Sequence, residues 1–146
     1  MNAPLVSILI PCFNAERWVA QTLDSALAQT WPNIEIIVVN DGSTDGSRAV
    51  LAQYELRGVK VVDQANAGQG AALNRAIGAC SGDYIQFLDA DDLLATDKVE
   101  LQMRRLLDNP GCAAIAEWAR FRTDPVEAVF TPYATWRDLD PVDWLV

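Results

Sequence analysis

Apolar and polar positions fall along this chain in blocks that repeat. Leu5 to Pro11 is a near-continuous apolar run, which predicts a strand buried on both faces. From about Ala15 to Gln29, Val19, Leu23, Ala26 and Leu27 recur at helical spacing, predicting a helix that Trp31-Pro32-Asn33 breaks. Ile34 to Val39, rich in β-branched residues, predicts a second buried strand. It runs into the turn Asn40-Asp41-Gly42-Ser43-Thr44-Asp45, where Ser43 or Thr44 would cap a helix reaching about Tyr54. Val59 to Val62 predicts a third, short strand; Asn66 to Gly70 reads as a loop and Ala71 to Ala79 as an alanine-rich helix. Ser81-Gly82-Asp83 turns into a fourth strand, Tyr84 to Leu88, which reads as buried and ends in Asp89-Ala90-Asp91-Asp92. A helix over about Thr96 to Leu107 carries Val99, Met103, Leu106 and Leu107 on one stripe, and Cys112 to Phe121 reads as a fifth strand.

Repeated strand–helix alternation with buried strands predicts an α/β fold, a mostly parallel sheet with helices on both faces. In such sheets ligands sit outside the carboxyl ends of the strands. The loops there are Pro11 to Glu16, Asn40 to Ser43, Gln64 to Gly70 and Asp89 to Asp92, so the polar constellations share one edge. Asp89 and Asp91, two apart on an extended backbone, would point at one target, while Asp92 would point away in a structural role. Two carboxylates in that place suit a hydrated Mg²⁺ or Mn²⁺ that also holds phosphates. Taken alone, an acidic loop of this kind is more often a solvated tip, and Asn40 to Ser43 can be a turn with a helix cap. Gly68-Gln69-Gly70 lacks the full dinucleotide pattern, so a dinucleotide cradle is not expected there. Arg75 reads as a solvated helix arginine rather than a phosphate contact. Trp18, Trp31, Trp118, Trp136 and Trp144 read mostly as packing.

Composition narrows the function. The chain has 146 residues, 51% of them hydrophobic, enough for one core over residues 1–123. Residues 124–146 form an irregular tail with tryptophans and prolines. It is read as the start of a missing acceptor-binding part and as a candidate homo-oligomer contact. A net charge of −9 without a Lys/Arg cluster argues against a nucleic-acid partner and against docking to anionic lipid. No run approaches the length of a transmembrane segment, and Met1-Asn2-Ala3-Pro4 does not begin a signal peptide. Cys12, Cys80 and Cys112 read as small buried apolar residues in a reducing compartment, which places the protein in the cytoplasm or peripheral to the inner face of the membrane. There is no histidine, so Ser-His-Asp chemistry and His-ligated metals are excluded, and any metal must be held by oxygen.

Four segments together resemble the family 2 glycosyltransferases. Val6 to Asn14 resembles the family's opening strand with its Pro-x-aromatic-Asn turn, and Ile37 to Asp45 its second-strand signature. Asn66-Ala67-Gly68 followed by Asn74 is similar to its third-loop helix, and Phe87 to Asp92 to its metal motif. The likeness runs in order from residue 5 to about 108. It implies a GT-A fold (Rossmann-like) and inverting transfer of a sugar from a nucleotide-diphosphate sugar, in cell-wall or polysaccharide biosynthesis. The acceptor, a glycan, lipid or protein, is left open.

By the resemblance Asp91 would hold Mg²⁺ or Mn²⁺, and Asp89 would share the ion or accept from a ribose hydroxyl. Asp41 would accept from the N3–H of uracil, which implies a UDP-sugar donor. Pro11 and Phe13 would line the base pocket, with Glu16 and Gly68 near the nucleotide. Family members are longer, and their second half supplies the catalytic base. Glu117, Asp138, Asp140 and Asp143 are the late acids, none in a matching context, so the base stays unassigned. The alternative is a non-catalytic nucleotide-binding module that works by association. A nucleotidyltransferase would want a glycine-rich basic loop after the first strand, and an aspartate-nucleophile phosphatase its acidic pair there. Pro11-Cys12-Phe13-Asn14 supplies neither.

Overall fold

The computed structural model describes residues 3–116, 119–121 and 124–130. The chain divides into two compact units, residues 1–104 and 105–146. The first holds β1 (Val6–Cys12), α1 (Val19–Leu27), β2 (Ile34–Asp41), α2 (Ser47–Glu55), β3 (Lys60–Gln64), α3 (Gln69–Ile77) and β4 (Tyr84–Phe87). All four strands are parallel in the order β3-β2-β1-β4, with Val6 in register with Ile34 and with Tyr84. Parallel strands need crossovers, and the intervening helices supply them.

The sheet is sealed on both sides of its centre. Leu9, Ile37 and Val39 point to the face covered by Ala72 and Ala76 of α3, whose small side chains let the helix lie close. Ile8, Ile10 and Val38 point the other way and are fully buried, as are Val19 and Leu23 of α1 and Leu51 of α2. The expected α/β architecture with helices on both faces is present.

Three expectations need correction. β4 is not a buried strand: Ile85 is 42% and Phe87 52% exposed. Among the described residues β4 pairs only with β1, and Ile85 and Phe87 lie in register with Ser7 and Leu9, beside rather than beneath α3. The cysteines are not alike, since Cys12 is buried, Cys80 half-buried and Cys112 exposed. Trp18 is not packed; it is 45% exposed, with the Arg17 guanidinium 5.1 Å over its ring.

α4 (Lys98–Asp108) ends at Asn109-Pro110-Gly111, with Gly111 at a φ of +88°. The fifth strand is far shorter than expected. Among the described residues of that segment only Ala119–Arg120 (β5) is a strand, and it pairs antiparallel with Val129–Phe130 (β6) in a separate two-stranded ribbon. Glu117, Trp118, Trp136, Asp138, Asp140, Asp143 and Trp144 lie outside the described residues. No described helix is long and apolar enough to cross a membrane.

Candidate functional site at the carboxyl edge of the sheet

The loops after β1, β2, β3 and β4 meet along one edge, and hydrogen bonds join each to the next. Asn14, just past β1, has a φ of +51°, a left-handed conformation that asparagine tolerates better than most residues. There its N–H donates to Ser43 Oγ (3.1 Å) and its Oδ1 accepts the Thr44 N–H (2.8 Å). Ala15 N–H donates to the buried Ser47 Oγ (2.8 Å), and Glu16 N–H to Asp45 Oδ2 (3.1 Å).

This clasp reassigns residues that the sequence pattern placed elsewhere. Ser43 and Thr44 do not cap α2, because they bind Asn14. Gly46 stands at the N-cap of α2, and Asp45 just before it serves the first turn, its Oδ1 accepting both the Ser47 N–H (3.0 Å) and the Ser47 hydroxyl (2.6 Å). Glu16 lies ahead of α1, which begins only at Val19, and its Oε2 accepts the Gly46 N–H (2.8 Å) at the start of α2. Phe13 follows β1 and is 50% exposed, whereas Pro11 is sealed within β1 in register with Val39.

Asp41 ends β2 and is only 2% exposed. Its Oδ1 accepts from the Gln64 amide (2.7 Å) and the Ala67 N–H (2.8 Å), and its Oδ2 from the Gly68 N–H (2.8 Å). The Gln64 bond, with those from Ala67 and Gly68, outweighs the cost of burial and holds the carboxyl below its ordinary range. Asp41 is therefore an ionised pure acceptor at neutral pH. Gly42 (φ +69°) lets the two loops touch through their backbones, since a Cβ there would stand 2.7 Å from Asn66 N. Gly68, at a φ of +90°, opens α3.

Asp89 to Asp92 is not a continuation of the strand. Asp92 N–H donates to the Asp89 carbonyl (3.1 Å), closing a turn, and the Ala90 carbonyl accepts from Thr22 Oγ1 of α1 (2.9 Å). The extended geometry expected to separate Asp92 from its neighbours is thus absent. Partial desolvation by the surrounding turn, and then the charges of Asp91 and Asp89, raise the Asp92 carboxyl above its usual range although its surface remains exposed. Asp89, Asp91 and Asp92 are all exposed, and Asp89 Oδ1 accepts from the Gln69 amide (2.9 Å). Among the described residues no group of three or more His, Cys, Asp or Glu could hold a metal ion. Arg75 is exposed in the last turn of α3.

The structure thus brings Asp41, Gly68 and Asp89 into one hydrogen-bonded set and places Glu16 in the clasp beside it. Asn14, which the sequence reading named only as part of the family's first turn, and Gln64 and Gln69 are parts of this edge that it did not name as site residues. Asn14 carried a usable signal, an asparagine directly after a strand. The glutamines carried none, because their partners are fixed only by the tertiary fold.

A sequence model of Glycosyl transferase family 2 matches residues 7–136. The glycosyltransferase GlyA of Streptococcus pneumoniae is 34% identical over 118 residues, 80% of this chain and 17% of that protein. The putative teichuronic acid biosynthesis glycosyltransferase TuaG of Bacillus subtilis is 39% identical over 113 residues, 75% of this chain and 44% of that one. Among solved structures, S. aureus TarS 1–349 in complex with UDP-GlcNAc superposes with a TM-score of 0.67 at 26% identity, over 70% of this chain and 31% of that one. The mannosyltransferase PcManGT of Pyrobaculum calidifontis, in complex with GDP-Man and Mn²⁺, superposes with a TM-score of 0.69 at 26% identity, over 75% of this chain and 34% of that one. This chain spans less than half the length of each of these proteins. With its four-stranded parallel sheet and the loops that end it, the chain belongs to Glycosyl transferase family 2.

Proposed function

We propose that residues of this chain form the donor site of an inverting glycosyltransferase that takes its sugar from a UDP-sugar with the help of Mg²⁺ or Mn²⁺. The observation that carries the reading is Asp41, an ionised acceptor held at the same sheet edge as the Asp89–Asp91 turn. A carboxylate offers roughly four lone-pair positions and three donors occupy Asp41, which leaves one for an N–H of a base. Uracil presents N3–H to such a group, whereas cytosine presents an unprotonated N3 and would set two acceptors face to face. The half-exposed Phe13 ring offers the base an apolar face.

Asp91, with Asp89 beside it, offers only oxygen, is exposed and is short of a complete protein shell. That suits a hydrated divalent ion sharing its remaining positions with phosphates. When bound, such an ion neutralises the charge of the departing nucleoside diphosphate. Glu16 contributes by holding the first loop to α2, and Gly68 by setting the start of α3 beside Asp41. TarS complexes with UDP and UDP-GlcNAc support a uridine donor, and the PcManGT complex supports a metal. That complex holds GDP-Man, so the base needs a direct test. The relative named for teichuronic acid biosynthesis supports a part in polysaccharide biosynthesis. Donor binding is the share of the activity assigned to the described residues; transfer and acceptor choice belong to the whole protein.

Calorimetric titration with UDP and GDP, with and without Mn²⁺, tests the reading beside an Asp91→Ala variant. UDP binding that needs Mn²⁺, exceeds GDP binding and is lost in the variant is the expected result. A folded sample that binds neither nucleotide overturns it and leaves the association module.

A further inference from the structure

Gln69 joins two parts of this edge that the donor reading treats separately. It is the first residue of α3, directly after Gly68, and the Ala67 and Gly68 N–H groups are both held at 2.8 Å by the buried Asp41. α3 is itself fixed to the sheet through Ala72 and Ala76. From this anchored position the Gln69 amide reaches Asp89 Oδ1 at 2.9 Å. Asp89 has no other side-chain partner among the described residues and shares its turn with Asp91 and Asp92. A carboxylate on an exposed turn samples several rotamers, and a ligand must freeze one of them at an entropic cost. A neutral amide is well suited to do the freezing in advance. It holds one carboxylate oxygen by a hydrogen bond without adding a positive charge that would compete with a cation, and it leaves the second oxygen open.

We propose that Gln69 is a positioning residue of the donor site: its carboxamide fixes Asp89 so that Oδ2 meets a ribose hydroxyl of the nucleotide. The proposal rests on the donor-site reading and extends it to a residue outside the acidic turn. Gln69 acts through Asp89 and touches no reacting atom. One line of contacts, Asp41 to Gly68 to Gln69 to Asp89, then sets the base-binding and ribose-binding groups relative to each other.

The test is titration of UDP and of 2′,3′-dideoxy-UDP, each with Mn²⁺, into wild type, Gln69→Met, Asp89→Ala and the double variant. Methionine keeps the length of glutamine and lacks the N–H; Gln69→Ala repeats the measurement, and thermal melting verifies folding of each. Loss of one hydrogen bond predicts UDP binding weakened about three- to tenfold in Gln69→Met. Binding of the dideoxy analogue is expected to stay unchanged, and the glutamine substitution to have no further effect once Asp89 is alanine. Equal losses for both nucleotides, an undiminished loss in the Asp89→Ala background, or no loss while UDP binds would each overturn the role of Gln69 and leave the donor site standing. Failure of the wild type to bind UDP overturns the donor reading and this proposal together.

Discussion

Asn14 Oδ1 accepts the Thr44 N–H at 2.8 Å across 30 positions of sequence, from a backbone held at a φ of +51°. The strain and the hydrogen bond belong together. Asparagine adopts the left-handed region at low cost, and there its side chain comes level with the turn after β2. Phe13, its neighbour, is thereby held at the same edge as Asp41.

Asn14→Ala should therefore cost about 2 kcal/mol, roughly half from the lost hydrogen bond and half because alanine lacks the short polar side chain that makes the left-handed region cheap for asparagine. Asn14→Gly removes only the first contribution and should cost about 1 kcal/mol. Urea denaturation of both variants checks the order. A glycine variant as unstable as the alanine one would mean that the backbone conformation carries no strain.

Asp41 makes a prediction about acid. Its folded carboxyl titrates below the value of 3.8 expected of an unperturbed aspartate, so its contribution to stability is complete above about pH 4. It is lost as pH falls through the folded value. Asp41→Asn leaves backbone donors facing an amide and should cost about 2 kcal/mol at pH 7. The gap between variant and wild type should narrow at pH 3, where the wild type has begun to lose the same interactions. Glu35 and Asp45 are also held below their ordinary range by the hydrogen bonds they accept, so some acid lability remains in the variant. Denaturation at the two pH values decides, and a constant gap would rule the ionised Asp41 out as the source.

Most of this fold is legible in the sequence because burial dictates it. The apolar runs Val6 to Pro11 and Ile34 to Val39 have no solvated face, and only central parallel strands use such runs. The fourth strand misleads for a related reason. Tyr84 to Phe87 is mostly apolar like a central strand, yet among the described residues it has a neighbour on one side only, and the strand order is not written in the run itself. Helix starts fail differently. Thr44 is a good cap in isolation, but Asn14 takes its N–H, and a contact across 30 positions leaves no local mark. The site follows the same division. Asp41, Asp89 and Asp91 stand at strand ends and can be found by position, while Gln64 and Gln69 matter only through partners the fold brings near.

The thiols offer a check on the core. Burial pushes Cys12 up to about 11, so at pH 8 about one molecule in a thousand carries the thiolate that reacts with alkylating reagents. Cys112 is exposed and Cys80 half-buried. Iodoacetamide should label Cys112 fastest and leave Cys12 untouched until the protein is unfolded, as read by peptide mass spectrometry. Labelling of native Cys12 at the rate of Cys112 would contradict a sealed β1.

Glu16 and Gly46 test the clasp as a pair. A Cβ on Gly46 would lie 2.6 Å from Glu16 Cδ, so Gly46→Ala must push the carboxylate off the N–H that it accepts at 2.8 Å. Glu16→Ala removes the same bond without any clash and exposes the N–H to water, at about 1 kcal/mol. Because both substitutions break one contact, their costs should not add, and the double variant should be more stable than the sum predicts by about 1 kcal/mol. A double-mutant cycle from urea denaturation gives this number directly. Additive costs would mean that Glu16 is free of Gly46 in solution, and its carboxylate would then be available to a ligand at this edge instead of bound to the start of α2.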